Sequence, residues 1–167
     1  MTTVSQVMTR GVRSMRASDN IMAAAQAMEE LNVGVIPVCE GDKLIGMVTD
    51  RDIIVRGVAQ ERDAKTTRLS DVMSTHVRTA HENDDIDKIL NEMGASQIRR
   101  LPVVDDQERL IGIVSLGDIA VKNPQDGSDV GMSLGDISSP AQPDRSHQSQ
   151  ASGAAGGGDS SSGQPRR

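Results

Sequence analysis

The amino-acid sequence predicts an α/β fold that consists of two copies of one β-α-β-β-α unit followed by a disordered tail. Three observations lead to this prediction. Residues 4–38 align with residues 69–103, and residues 44–55 align with residues 110–121. Each copy alternates apolar residues at helical spacing with short segments rich in β-branched residues. After Asn123 the composition changes sharply to Ser, Gly and Pro.

The repeat is carried by identical residues in the same order. In the first aligned block the recurring residues are Ser5, Val7, Met8, Val12, Arg13, Asp19, Ile21, Met28, Pro37 and Val38. In the second block they are Leu44, Ile45, Gly46, Val48, Asp52, Ile53 and Val55. The segment between the two blocks is one residue longer in the second copy than in the first, and a turn is predicted there. The chain therefore contains one structural unit twice.

Each unit is predicted to begin with a strand, near Val12 in the first copy and near Val77 in the second. A helix follows, and the first is expected to be capped by Ser18 or Asp19 and the second by Asn83. Two strands come next, over residues 33–39 and 44–49 in the first copy and over residues 98–104 and 110–115 in the second. A final helix begins near residue 50 in the first copy and near residue 116 in the second.

The third element of each unit contains a proline, Pro37 or Pro102. Proline has no backbone N–H to donate to a ladder, so we predict that these strands lie at a sheet edge or bend there.

Three segments follow from the repeat and the composition. Residues 1–60 form the first repeat, residues 61–122 the linker and second repeat, and residues 123–167 a tail. Because Ser, Gly and Pro offer little to bury, the tail is predicted to be disordered. A short apolar patch from Val130 to Ile137 leaves open a transient contact with the body or with a partner.

Composition excludes several classes of function. The net charge is −6 and no aromatic residue is present, so neither a phosphate-backbone binder nor an aromatic stacking platform for nucleic acid is expected. The single cysteine, Cys39, cannot form an internal disulfide. No apolar run is long enough to span a membrane, and no apolar stretch follows the N-terminus, so we expect a cytoplasmic protein without a membrane partner.

The junction between the second strand and the second helix repeats a hydroxyl and a carboxylate three residues apart. Thr49 and Asp52 stand there in the first copy, and Ser115 and Asp118 in the second. Backbone N–H groups at a helix start can bind phosphate, and a carboxylate can accept from both hydroxyls of a ribose. The alternative is a capping box, in which the two side chains stabilise the helix start only. The recurrence with a flanking glycine favours a binding site.

These segments resemble a tandem pair of cystathionine-β-synthase-type (CBS) domains. The similar segments are Gly46-Met-Val-Thr49-Asp-Arg-Asp52, Gly112-Ile-Val-Ser115-Leu-Gly-Asp118, the Ile-Pro-Val and Leu-Pro-Val strands and the Val-Met-Thr or Val-Met-Ser openings. The resemblance implies two repeats packed around a pseudo-twofold axis, with an adenosyl ligand in the clefts between them. It places Thr49 and Ser115 near phosphate, Asp52 and Asp118 on ribose, and Val12, Ile36, Val77 and Leu101 beside the base.

The two copies are not equivalent. In the second copy Arg99 and Arg100 precede Leu101-Pro102, and alternation along a strand predicts that only one of them, Arg100, reaches a cleft. Asp50 would compete with a phosphate at the first helix start, whereas Leu116 would not. We therefore expect the cleft built on Ser115 and Asp118 to bind an anion more tightly.

No catalytic residues and no metal site are predicted. Cys39 ends an apolar strand and is interpreted as a buried residue rather than a redox sensor. His76 and His81 lack further ligands at a suitable spacing, and no nucleophile, base and acid can be assembled.

The resulting hypothesis is a stand-alone regulatory module that is not an enzyme and requires no cofactor. It would bind AMP, ADP, ATP or S-adenosylmethionine and signal to a protein partner in trans. A homodimer is expected from the resemblance and from apolar second-helix faces, which carry Ile53, Ile54, Val55, Ile119 and Val121. The alternative is a ligand-free homodimeric interaction module with vestigial clefts.

Overall fold

The computed structural model describes residues 1–122 and 127–138 of the chain. The helices are α1 (Val4–Val7), α2 (Ile21–Leu31), α3 (Asp50–Asp52), α4 (Ile86–Ser96), α5 (Leu116–Lys122) and α6 (Gly127–Ser138). The strands are β1 (Thr9–Arg10), β2 (Val35–Glu40), β3 (Lys43–Thr49), β4 (Ala80–His81), β5 (Arg100–Val104) and β6 (Leu110–Ser115). Helix α3 continues as a π-helical turn at Ile53–Gly57 and a 3-10 turn at Val58–Gln60, and a further 3-10 turn lies at Leu69–Asp71.

Two antiparallel hairpins are the centres of two sheets. In the first half β2 pairs with β3, and Met15 forms an isolated parallel bridge with Val38. In the second half the strand order is β1-β6-β5-β4, with β4 parallel to β5. The parallel bridge of Met15 in the first half corresponds to β4 in the second. The mixed α/β fold with two repeats is therefore confirmed.

The opening segment of each copy packs on the other copy. Val4 and Val7 of α1 lie in the core of the second half, and β1 pairs with β6. Reciprocally, Leu69 and Val72 lie in the core of the first half, and Ser74 bridges Met47 of β3. The repeats follow one another in sequence, but each core is completed by a segment from the other copy, as a pseudo-twofold arrangement requires.

Two glycines allow these crossings. A Cβ atom on Gly112 would lie 2.6 Å from the carbonyl oxygen of Thr9, and one on Gly46 would lie 2.9 Å from that of Ser74. Neither backbone could move away without breaking the strand pairing that it makes. The glycine that flanks each predicted binding motif therefore has a packing role.

The turns of the two hairpins also meet. Leu44 N donates to Glu108 O at 3.1 Å, and Leu110 N donates to Asp42 O at 2.9 Å. An ion pair between Lys43 and Glu108 lies beside these bonds. The halves are thus joined by backbone hydrogen bonds at the turns as well as by the exchanged segments.

The helix caps differ from the predicted ones. Asn20 caps α2 by accepting from Ala23 N at 2.8 Å, and Asp85 caps α4 by accepting from Asp87 N at 3.1 Å. The predicted caps were Ser18 or Asp19 and Asn83. Asp19 accepts from Arg16 N instead, which closes a turn that brings the chain to the helix.

The proline prediction is confirmed only in part. Strand β2 lies beside β3 with a single bridge on its other side, but β5 lies inside its sheet between β6 and β4, so the edge position is wrong for Pro102. Strand β4 pairs only with Val103 and Val104, beyond the proline. The register shifts after Val38 and after Val103, one residue past each proline.

A helix lies where the sequence predicts a tail. Residues 127–138 form α6, which packs against α4 and α5, with Ile137 against the core of the second half. Ser133 and Ile137, four residues apart, share the inward face, so one hydroxyl and one apolar side chain of α6 face the second half. The other residues assigned to the tail, 123–126 and 139–167, lie outside the described residues. Within the described part no helix is long and apolar enough to cross a membrane.

The exchange of α1 can be tested by Val7→Ala. Val7 is 1% exposed in the second-half core, so removing its methyl groups should lower the free energy of unfolding by about 2 kcal/mol. Val121→Ala is the matched control, because Val121 is 79% exposed, and should change stability by less than about 0.5 kcal/mol. Urea unfolding followed by circular dichroism measures both. Equal effects would contradict the packing of α1.

Candidate functional site

Each β-α junction forms a reciprocal pair of hydrogen bonds. Asp52 N donates to Thr49 Oγ1 at 3.0 Å, and Thr49 N donates to Asp52 Oδ2 at 3.0 Å. Asp118 N donates to Ser115 Oγ at 3.0 Å, while Ser115 N and Oγ donate to Asp118 Oδ2 at 3.1 and 2.6 Å. The capping interpretation is thus realised at both junctions, and any binding role must be additional to it.

A cleft of about 420 Å³ lies between the two halves. One part of its wall is apolar and comes mostly from the first half: Val12, Leu31, Val33, Val35, Ile36 and Ile113. The other part carries polar side chains: Thr9, Arg13, Arg100, Ser115 and Asp118. The pairing of β1 with β6 brings these groups together, because it places Thr9 beside Ile113. The lining of the cleft therefore combines apolar side chains with charged and hydroxyl side chains.

The cleft contains five of the predicted site residues: Val12, Ile36, Arg100, Ser115 and Asp118. Arg100 lines it and Arg99 does not, as strand alternation predicts. Within residues 1–122 and 127–138, Arg100 makes no ion pair, whereas Arg13 pairs with exposed Glu30 at 3.0 Å. The guanidinium of Arg100 is therefore available to an anion in the cleft.

The other four predicted residues lie elsewhere. Thr49 and Asp52 do not line this cleft, and Asp52 faces Arg56 at 4.0 Å. Val77 lines a separate recess of about 180 Å³ beside Gly46. Leu101 is 1% exposed and belongs to the core of the second half. The two predicted clefts are thus unequal in the structure.

The starts of the two second helices differ in the structure, while tighter anion binding at the Ser115–Asp118 junction stays a prediction. In the first copy the Asp50 carboxylate accepts from Arg51 N at 2.8 Å and lies against Gly34, where a Cβ would be 3.0 Å from it. In the second copy Leu116 is buried in the core. The junction that carries Ser115 and Asp118 therefore has no competing carboxylate at the equivalent position.

Sequence reasoning missed several residues of the cleft wall. Leu31, at the end of α2, is 40% exposed and lines the cleft with Val33 and Ile113. Thr9 and Ile113 are adjacent only because a strand of one copy pairs with a strand of the other. The sequence repeat predicts the structural unit but not the pairing of segments from different copies. The contact between Thr9 and Ile113 therefore could not be predicted from local sequence patterns.

Cys39 and the histidines form no further site in the described part of the chain. Burial raises the pKa of the Cys39 thiol, opposed by a hydrogen bond from Ser14 and reinforced by the charge of Asp42. No group of three His, Cys, Asp or Glu that could hold a metal occurs among residues 1–122 and 127–138. His81 faces Asp84 with Nδ1 at 3.9 Å.

The raised pKa predicts slow thiol chemistry. Because the thiolate is the reactive form and burial disfavours it, native Cys39 should react with a maleimide or disulfide reagent about tenfold or more slowly than the urea-unfolded chain. The rate should rise with pH in both states, and the native chain should need a higher pH to reach the same rate as the unfolded chain. The absorbance of the thiolate released from an aromatic disulfide reagent, or the loss of the maleimide absorbance, measures the rate. Equal rates in both states would show that Cys39 is not buried.

The comparisons with known proteins agree on one family. The CBS domain matches the chain twice, at residues 4–58 and 69–122. The CBS domain-containing protein YhcV of Bacillus subtilis is 44% identical over 138 residues, 83% of this chain and 96% of its own length. Hypoxic response protein 1 of Mycobacterium tuberculosis is 37% identical over 126 residues, 75% of this chain and 87% of its own length.

Two solved structures have the same fold. Hypoxic Response Protein I, crystallised with two coordinated zinc ions, has a TM-score of 0.66 and 38% identity and covers 72% of this chain and 98% of its own. The CBS domain pair of protein MJ0100, in complex with 5-methylthioadenosine and S-adenosyl-L-methionine, has a TM-score of 0.64 and 30% identity and covers 72% and 98%.

Proposed function

The chain belongs to the CBS domain family, and on that premise we propose that it is a regulatory module that binds an adenine nucleotide in the cleft between its two halves. The observation that carries the proposal is the cleft itself, whose lining combines aliphatic side chains with Arg100, Ser115 and Asp118. The proposed module is not catalytic, and its output passes to a separate protein.

The size and lining of the cleft suit a nucleoside. Its volume of about 420 Å³ lies within the range of small-molecule sites, roughly 300–1,000 Å³. An adenine ring can lie against the aliphatic side chains of Val12, Val33 and Ile113. These side chains come from both halves, so a bound base would contact the two repeats at once.

The polar side of the cleft suits a phosphorylated ribose. All hydrogen bonds of the Asp118 carboxylate within the described residues use Oδ2, which leaves Oδ1 to accept from a ribose hydroxyl. Arg100 supplies a cation without an ion-pair partner in that part of the chain, and Ser115 supplies a hydroxyl. These three groups favour a nucleotide over a neutral adenosine.

Relatives support an adenosyl ligand as a class. The CBS domain pair of MJ0100 was solved with 5-methylthioadenosine and S-adenosyl-L-methionine. We transfer to this chain only the adenosyl part of those ligands, because the unpaired Arg100 favours an anion over the sulfonium cation of S-adenosylmethionine.

A second candidate is a ligand-free homodimeric interaction module. The two capping boxes favour it, because in each the hydroxyl and the carboxylate already accept from the backbone N–H of the other residue. The exposed apolar side chains Ile54, Val55 and Val58 offer a face for a second copy. Ile53 and Ile119, which were expected on such faces, lie instead in the cores of the two halves.

Asp118→Ala tests the nucleotide site. Loss of the ribose acceptor should weaken AMP binding by about tenfold or more, measured by titration calorimetry. Asp52→Ala is the matched control, because Asp52 closes the equivalent capping box of the first copy but does not line the cleft. Both variants should lose about 1 kcal/mol of stability, and only Asp118→Ala should lose affinity. Equal affinities in the two variants would contradict the site.

The ultraviolet spectrum of the purified protein is a direct test. The chain has no Phe, Tyr or Trp, so it is nearly transparent where adenine absorbs. An adenine band should be present if the nucleotide copurifies, and acid extraction with mass analysis would then identify it. A flat spectrum followed by no heat with AMP, ADP, ATP or S-adenosylmethionine would favour the interaction module.

A further inference from the structure

Helix α6 is held on the second half by specific contacts. The buried Ser133 hydroxyl donates to Leu90 O of α4 at 3.2 Å, and Gln97 Nε2 donates to Asp136 O at 3.5 Å. Ile137 packs against the second-half core. Polar and apolar contacts on one face therefore dock α6 against α4.

This docking surface exists on only one of the two repeats. Gly94 of α4 faces α6: a Cβ there would lie at ordinary contact distance, 3.4 Å from Asp136 Oδ2 and 3.8 Å from Ser133 Cα, so a side chain longer than that of alanine would reach into α6. The equivalent residue of α2 is Glu29, and the equivalent of Leu90 is Ala25, both exposed. A helix such as α6 could not pack in the same way on the first half.

The sequence of α6 is a poor helix former. It contains Gly127, Gly131 and Gly135, and glycine is among the least favourable residues in a helix. A short helix of this composition is not stable alone in water. Its helical form therefore depends on its contacts with α4 and α5, and docking and helix formation are one transition.

Helix α5 connects α6 to the cleft. Its start carries Ser115 and Asp118, Ile119 anchors it in the core, and Lys122 Nζ donates to Val7 O of α1 at 2.7 Å. Helix α6 packs against α5 as well as α4. A ligand at Asp118 and a docked α6 therefore require the same ordered α5.

We propose that α6 is a latch: its docking and the ordered Ser115–Asp118 end of α5 stabilise each other, so that a nucleotide in the cleft tightens the latch and a released latch weakens nucleotide binding. When a nucleotide and α6 both bind the ordered form of α5, each raises the affinity of the other by the same factor. The nucleotide half of this statement rests on the proposed function, whereas the coupling between α6 and α5 does not.

The coupling is tested first without nucleotide, by hydrogen exchange with mass spectrometry. Ile137→Asn places a polar group against the core and should speed exchange about tenfold or more in residues 127–138 and also in α5. Met132→Gln is the control, since Met132 is 71% exposed on the same helix and Gln has about the same helix propensity as Met, and it should leave α5 unchanged. Faster exchange in α6 with no change in α5 would overturn the proposal, as would equal effects of the two variants.

A second variant acts in the opposite direction. A Cβ on Gly131 meets no atom within 4 Å, so Gly131→Ala adds helix propensity without a clash. It should slow exchange in α6 about fivefold and slow exchange in α5 as well. Unchanged or faster exchange in α5 would contradict the latch, and this variant is not at risk of misfolding.

The nucleotide is then added as AMP, with titration calorimetry as the readout. Ile137→Asn should bind AMP about fivefold or more weakly than Met132→Gln. Equal affinities would overturn the coupling to the cleft. If neither the parent chain nor any variant binds AMP, ADP or ATP, the proposed function fails. The coupling between α6 and α5 is then decided by the hydrogen-exchange rates of α5 alone.

Discussion

The reciprocal exchange of opening segments is the interaction on which the rest of the structure depends. Val4 and Val7 complete one core, and Leu69 and Val72 complete the other. The crossings need backbone approaches that only Gly112 and Gly46 allow. Burial of apolar surface provides the driving force, and the two glycines provide the space.

The cleft is a consequence of this exchange. Once β1 lies along β6, residues just after it in the chain, including Val12 and Arg13, face the start of α5 from the opposite half. The pseudo-symmetry of the backbone is then broken by single residues: Arg100 stands where the other copy has Val35, and Leu116 where it has Asp50. Duplication gives two similar junctions, and these substitutions give them different electrostatic properties.

The internal repeat predicted the unit, its element order and the junctions with Thr49 and Ser115, because each depends on local patterns of apolar and hydroxyl residues. It did not predict the exchange, the buried position of Leu101 or the cleft role of Leu31, since these depend on contacts between distant segments. Helix α6 was missed for a different reason: its glycines mask a pattern that becomes helical only against α4.

The exchange also constrains the order in which the chain can fold during synthesis. Residues 4–10 leave the ribosome well before the core that receives them, which includes Ile89, Val114 and Ile119. The first half likewise waits for Leu69 and Val72. Contacts of such long sequence separation form late and slowly. The two repeats, although each resembles a complete unit, are therefore obliged to fold as one cooperative body after both have been made.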